Sequence, residues 1–150
     1  MSEINYSEVL PFFVYGTLLP GHANFHLFGD ESQISHCEAS LSYAAMFAKA
    51  TYPVMRKSEL ETDQVVGVVV TMTTDRFHEK LRFLDQLEDF DVEHADEGEY
   101  RREQVEVKLK DNETVVAWTY FGRNVDFEKL KKIESGSWDA YVKELSLIHI

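Results

Sequence analysis

Apolar positions along the 150-residue chain fall into short runs broken by glycine, proline and acidic residues, a pattern of strands and turns rather than of long helices. Five segments read as strands: 11–15, 39–47, 65–72, 103–110 and 114–121. Val65-Val66-Gly67-Val68-Val69-Val70 is apolar at every position, as a strand covered on both faces would be. Val105, Val107 and Leu109 alternate with Glu106, Lys108 and Lys110, which predicts a half-exposed strand. Asp111-Asn112 is turn material, so 103–121 is expected to form an antiparallel hairpin. Helical spacing predicts one helix from about Asp75 to Glu88 and another from Asp126 into the 130s. Many strands with few helices imply an α+β domain, a curled or barrel-like sheet with helices packed outside it. No repeat, low-complexity tract or linker-like shift divides the chain, so 1–150 reads as one domain.

Two places in this pattern carry candidate chemistry. The first strand stops at Tyr15-Gly16-Thr17-Leu18, with Pro20-Gly21 after it. Glycine at 16 permits unusual backbone angles and leaves the amide unobstructed, so the loop can present N–H groups to an anionic or carbonyl oxygen. A plain strand-to-turn junction explains the same residues. The second place is Glu88. At about 100° per residue, Phe77, Leu81, Leu84 and residue 88 share a stripe about 60° wide, whereas Asp85 and Asp89 rotate to its flanks. A carboxyl group on an apolar face is desolvated, which raises its pKa toward the range a general acid/base needs. The alternative is that the helix ends before Glu88 and the side chain turns to solvent; helical geometry leaves both open.

Charge narrows the function classes. Fifteen basic against 27 acidic residues give a net charge of −12, which argues against a nucleic-acid surface and disfavours docking on anionic membrane lipid. No apolar run reaches the roughly 20 residues of a membrane span, and the first residues lack a signal-peptide pattern, so a cytoplasmic protein is expected. Residues 85–106 hold ten carboxylates against Arg101 and Arg102, mostly a solvated face. Asp89, Asp91 and Glu93 alternate like the first ligands of a calcium loop, but His94 replaces its glycine and Tyr100 its final glutamate, so that reading fails. His22 and His26, with His36-Cys37 nearby, lack a matched further ligand, and no metal is expected there. The single cysteine, Cys37, excludes an internal disulfide and is expected as a small buried thiol.

The ordered set Tyr15-Gly16-Thr17-Leu18 with Gly21 and Asn24, Tyr52-Pro53, Val66-Gly67, Leu84-Asp85-Gln86-Leu87-Glu88, Tyr100-x-Arg102-x-x-Val105-x-Val107, Ala117-x-x-Tyr120 and Gly136-x-Trp138 resembles the γ-glutamylcyclotransferase superfamily, most closely its γ-glutamylamine cyclotransferase (AIG2-like) branch. The resemblance runs from about residue 12 to 141 and implies a small mixed-sheet β-barrel with flanking helices. It implies an enzyme that cyclises a γ-glutamyl amide or amine to 5-oxoproline, with no metal or organic cofactor. By match to the motif, Glu88 would be the catalytic acid/base, and Tyr15, Gly16, Thr17 and Leu18 would grip the glutamyl head. Tyr100 is a candidate hydroxyl partner for the substrate, although a strand tyrosine is more often core with its oxygen at the rim.

Two positions depart from the pattern. The family usually has glycine where Asp89 follows the glutamate, a place suited to a left-handed turn, and a second carboxylate there is expected to raise Glu88 further. An acidic residue often precedes the tryptophan, where this chain has Ser137. Asp89 keeps an alternative function in view, a γ-glutamyl-binding module on the same fold without turnover. The expected partner is a small-molecule γ-glutamyl substrate, with the chain a monomer or weak homodimer; recruitment of a basic protein by the acidic face is a weaker alternative. Arg102 is expected to neutralise local acid, Trp138 and Tyr141 to pack the last segment onto the barrel, and the tail Leu145 to Ile150 to cover an edge strand or a second subunit.

Overall fold

The computed structural model describes the chain except residues 1–4, 23–24, 29–33, 73–76, 96 and 149–150, and the side chains of 146–148. Five strands close into a barrel: β1 (Phe12–Val14), β5 (Gln64–Met72), β2 (Ile34–Ser42), β6 (Tyr100–Leu109) and β7 (Thr114–Gly122), in that order. Every pairing is antiparallel except the one that closes the ring, where β1 meets β7 in parallel at Phe12 and Trp118. A second sheet of order β4 (Tyr52–Lys57), β3 (Ala44–Lys49) and β8 (Lys131–Ile133) lies beside it. Helix α1 (Phe77–Leu87) presents Phe77, Leu81 and Leu84 to the core, and α2 (Trp138–Ile148) ends the described chain. The mixed barrel with flanking helices is the expected α+β architecture.

The five expected strands exist, with one division. Segment 39–47 is two strands in two sheets, because Tyr43 takes φ 57° and swings the chain out of the barrel. The kink is held on both sides: Tyr43 donates its N–H to Asp63 and accepts from that of Ser58. The hairpin forms as expected, with Asn112 at φ 70° and the Asp111 carboxylate accepting from the Glu113 N–H at 3.0 Å. Strand β5 is not covered on both faces: Val65, Gly67 and Val69 are buried, while Val66 is 37% exposed.

Two further expectations change, and a strand not anticipated appears. Residues 126–130 make a single 3-10 turn, Phe127–Lys129, and the chain then enters β8 instead of a helix. Strand β4 carries Pro53, which lacks a ladder donor and is tolerated because β4 is the edge of its sheet. Cys37 is exposed on β2, not buried. Trp138 is buried as expected, at the start of α2, where the Ser137 hydroxyl accepts from the Ala140 N–H at 3.2 Å. Serine at 137 therefore serves as the N-cap, a task an acidic residue performs equally well. The expected start of α1 at Asp75, the tail beyond Ile148 and Asn24 lie outside the described residues.

Gly67 shows how tightly the barrel closes around β1. A Cβ there would sit 2.1 Å from the Val14 carbonyl oxygen and 3.0 Å from the Phe13 ring. Gly67→Ala is expected to destabilise the protein by about 1–3 kcal/mol or more, read as a lowered thermal midpoint.

Candidate functional site

A cavity of about 390 Å³ opens where β1 ends, walled by residues 13–18, by Thr51 to Pro53 at the start of β4, by Leu87 and Glu88 at the end of α1, and by Glu99, Tyr100 and Tyr120. All six residues singled out from the sequence, Tyr15, Gly16, Thr17, Leu18, Glu88 and Tyr100, line it.

The loop wall is built by close packing. Gly16 has no left-handed φ; it is needed because a Cβ would lie 2.6 and 2.8 Å from ring carbons of Pro53. The expected freedom of angle belongs to Gly21, at φ 83°, where the turn after Pro20 requires it. The loop is folded on itself, with the Leu19 N–H donating to the Gly16 carbonyl at 2.9 Å. The N–H groups of Gly16 and Leu18 donate to no backbone carbonyl among the described residues. Tyr15 is buried and donates its hydroxyl to the Tyr120 carbonyl at 2.5 Å, so its phenol, raised by burial and by Glu88, stays neutral.

Opposite stands Glu88. Helix α1 ends at Leu87, yet the Glu88 N–H still bonds to the Leu84 carbonyl at 3.0 Å and holds the side chain on the inward stripe. The next residue, Asp89, takes φ 52°, with its N–H on the Gln86 carbonyl and that of Phe90 on Asp85. These are the two bonds of a Schellman cap, with a buried Phe90 completing it. Aspartate thus adopts the left-handed turn usually given to glycine, and its carboxylate accepts from the Glu99 N–H at 3.2 Å.

The Glu88 carboxyl has no hydrogen-bond or ion-pair partner among the described residues. Burial first, then the charges of Glu99 and Asp85, raise its pKa to about 7. The expected push from Asp89 is absent; Glu99 supplies it across the cavity. Tyr100, core and cavity wall at once, points its hydroxyl at the Pro53 carbonyl, 3.4 Å away, and burial raises its pKa.

Asp85 was expected on a flank and is instead 7% exposed. It accepts from Arg102 Nε at 2.8 Å and Nη2 at 3.1 Å, and from the Tyr120 hydroxyl at 2.7 Å. Arg102, fully buried, also donates to the Tyr6 carbonyl and lies over the Trp118 ring, 4.3 Å from its centroid. Burial raises Asp85 above the ordinary carboxylate value against the pull of Arg102 and Tyr120. Spacing contains the signal for this position: Asp85 follows Leu81 by four residues and shares its face. Glu99, read from the sequence only as part of a charged run, has no such signal.

His22 pairs with Asp139 at 2.5 Å, and no group of three or more His, Cys, Asp or Glu among the described residues is placed to hold a metal ion.

Residues 12–140 match the family described as Gamma-glutamyl cyclotransferase, AIG2-like. The chain belongs to this family. Its fold recurs in a protein of Arabidopsis thaliana, 25% identical with 95% of this chain and 89% of that one covered, at a TM-score of 0.61. An aig2-like protein of Mus musculus is 21% identical, with coverages of 83% and 86% and a TM-score of 0.60. A gamma-glutamyl cyclotransferase is 20% identical, with coverages of 79% and 69% and a TM-score of 0.55. No curated protein matches the chain. Among the described residues no helix is long and apolar enough to cross a membrane.

Proposed function

We propose that this member of the family cyclises a γ-glutamyl amide to 5-oxoproline and releases the amine, with Glu88 as the acid/base. The observation that carries the reading is the Glu88 carboxyl itself, unpartnered, raised to about 7, and facing the Tyr15–Leu18 loop across one cavity. A group near neutral pKa takes and returns a proton with little penalty at physiological pH. As carboxylate, Glu88 removes a proton from the substrate α-ammonium. The freed nitrogen attacks the side-chain carbonyl carbon, forming the ring N–C bond and placing charge on oxygen. Collapse breaks the bond to the leaving nitrogen, which takes that proton back from Glu88, and the second proton on the ring nitrogen passes through Glu88 to the released amine, which departs as an ammonium ion. The step is redox-neutral and balances without a cofactor.

The loop fits the other half of the task. The N–H groups of Gly16 and Leu18 can hold the developing oxyanion or the α-carboxylate, and the wall formed by Thr17 and Tyr100 folds the glutamyl chain toward its cyclising shape. The reading as a binding module without turnover rested on Asp89, and Asp89 preserves the helix cap, so no observation now favours it.

The test is 5-oxoproline release, followed by mass spectrometry, from γ-glutamyl amines, γ-glutamyl dipeptides and ε-(γ-glutamyl)lysine. Product from at least one is expected. Silence across the panel from a folded protein would overturn the reading.

A further inference from the structure

Glu99 is a second carboxylate in the same cavity and has no role in the steps above. Its Oε1 accepts from Lys49 Nζ and, at 3.3 Å, from the Tyr52 hydroxyl. Its Oε2 has no partner among the described residues, and the side chain is 28% exposed. The backbone beneath is fixed by the Asp89 carboxylate on its N–H. Lys49 faces Tyr52 across the β3–β4 pairing and does not itself line the cavity. The lining contains no Lys, Arg or His among the described residues, so its charged side chains are Glu88 and Glu99 alone.

We propose that Glu99 is a specificity-determining residue that binds an alkylammonium group of the ligand through Oε2, while Lys49 and Tyr52 hold its other oxygen at the cavity mouth. The inference rests on the function proposed above. The charged geometry matters because a fixed carboxylate oxygen binds an ammonium by a charge-assisted hydrogen bond without first being ordered. Two ammonium groups have this chemistry: the α-ammonium of the glutamyl head, and one carried on the amine half.

Calorimetric titration of Glu88→Gln protein, which removes turnover, separates them with three probes. γ-Glutamylethylamide carries only the α-ammonium, the glutaric monoamide of 1,4-diaminobutane carries only a distal one, and glutaric monoethylamide carries neither. Adding Glu99→Gln is expected to weaken an ammonium-bearing probe by about tenfold or more and to leave glutaric monoethylamide unchanged. Loss confined to γ-glutamylethylamide assigns the α-ammonium; loss confined to the diaminobutane amide assigns the distal group. Lys49→Met is expected to tighten the same probe, because the competing cation is gone, and a merely structural role for the pair would not do this. Equal change in all three probes, no change in any, or no measurable affinity for the ammonium-bearing ones overturns the inference. A chain that binds as expected but releases no 5-oxoproline overturns the reaction and leaves the role of Glu99 standing.

Discussion

Glu88→Gln is expected to lower 5-oxoproline release by at least about 10²-fold and, at the same time, to make the protein more stable above neutral pH. Both effects have one cause. Folding places the Glu88 carboxyl where burial and two neighbouring carboxylates hold its pKa at about 7, against about 4.3 in an unfolded chain. Below that unfolded value the group is protonated in both states and contributes no difference. As pH rises from there to 7, the unfolded chain gives up its proton while the folded protein retains it, so stability falls. Above 7 the penalty is complete, up to about 4 kcal/mol by linkage. Glutamine has the shape and no ionisation, so the variant escapes the penalty. Denaturant midpoints for parent and variant are expected to coincide near pH 4 and to separate progressively through pH 7. Coincident midpoints at pH 8 would mean that Glu88 is not held in the desolvated cavity, and equal turnover by the two proteins would remove it from the chemistry.

The carboxylate was legible in the sequence because the stripe Phe77, Leu81, Leu84 and Glu88 is a local, periodic signal. The same is true of β6 and β7, whose alternation and Asp111-Asn112 turn lie within a single stretch of chain. What stayed hidden depends on non-local partners. Tyr43 is a tyrosine inside an apolar run, and nothing in the run announces that it will turn left-handed and divide one strand between two sheets. Strand β8 is three residues long and exists because β3 offers it an edge. Gly16 invites a conformational explanation, and its real constraint is the Pro53 ring, 37 positions away in the chain. Glu99 lies in an acidic run where most residues face water, and only the folded cavity separates it from them. The cavity's residues were readable where their positions coincide with periodicity, and unreadable where they depend on which strand ends meet.

Asp85 and Arg102 are expected to be the costliest single positions to alter. Either partner alone leaves a charge in a place without water: Arg102 is fully buried against Trp118, and Asp85 is closed in by Arg102 and Tyr120. Asp85→Ala or Arg102→Met is expected to cost about 3–5 kcal/mol, a large share of the stability of a domain this size. The pair Asp85→Leu with Arg102→Met removes both charges and is expected to regain most of that loss, because much of the penalty in each single variant is the abandoned partner. Recovery of stability should not restore the site. Asp85 is one of the two charges that raise Glu88, and it anchors the Tyr120 hydroxyl on the strand whose carbonyl receives Tyr15. The double variant is therefore expected to fold while Glu88 titrates below 7, which shifts the rising limb of its kcat/KM profile to lower pH. Urea melts of the three variants together with that profile test both halves. A double variant no more stable than the singles would show that the network acts through shape and not through charge balance.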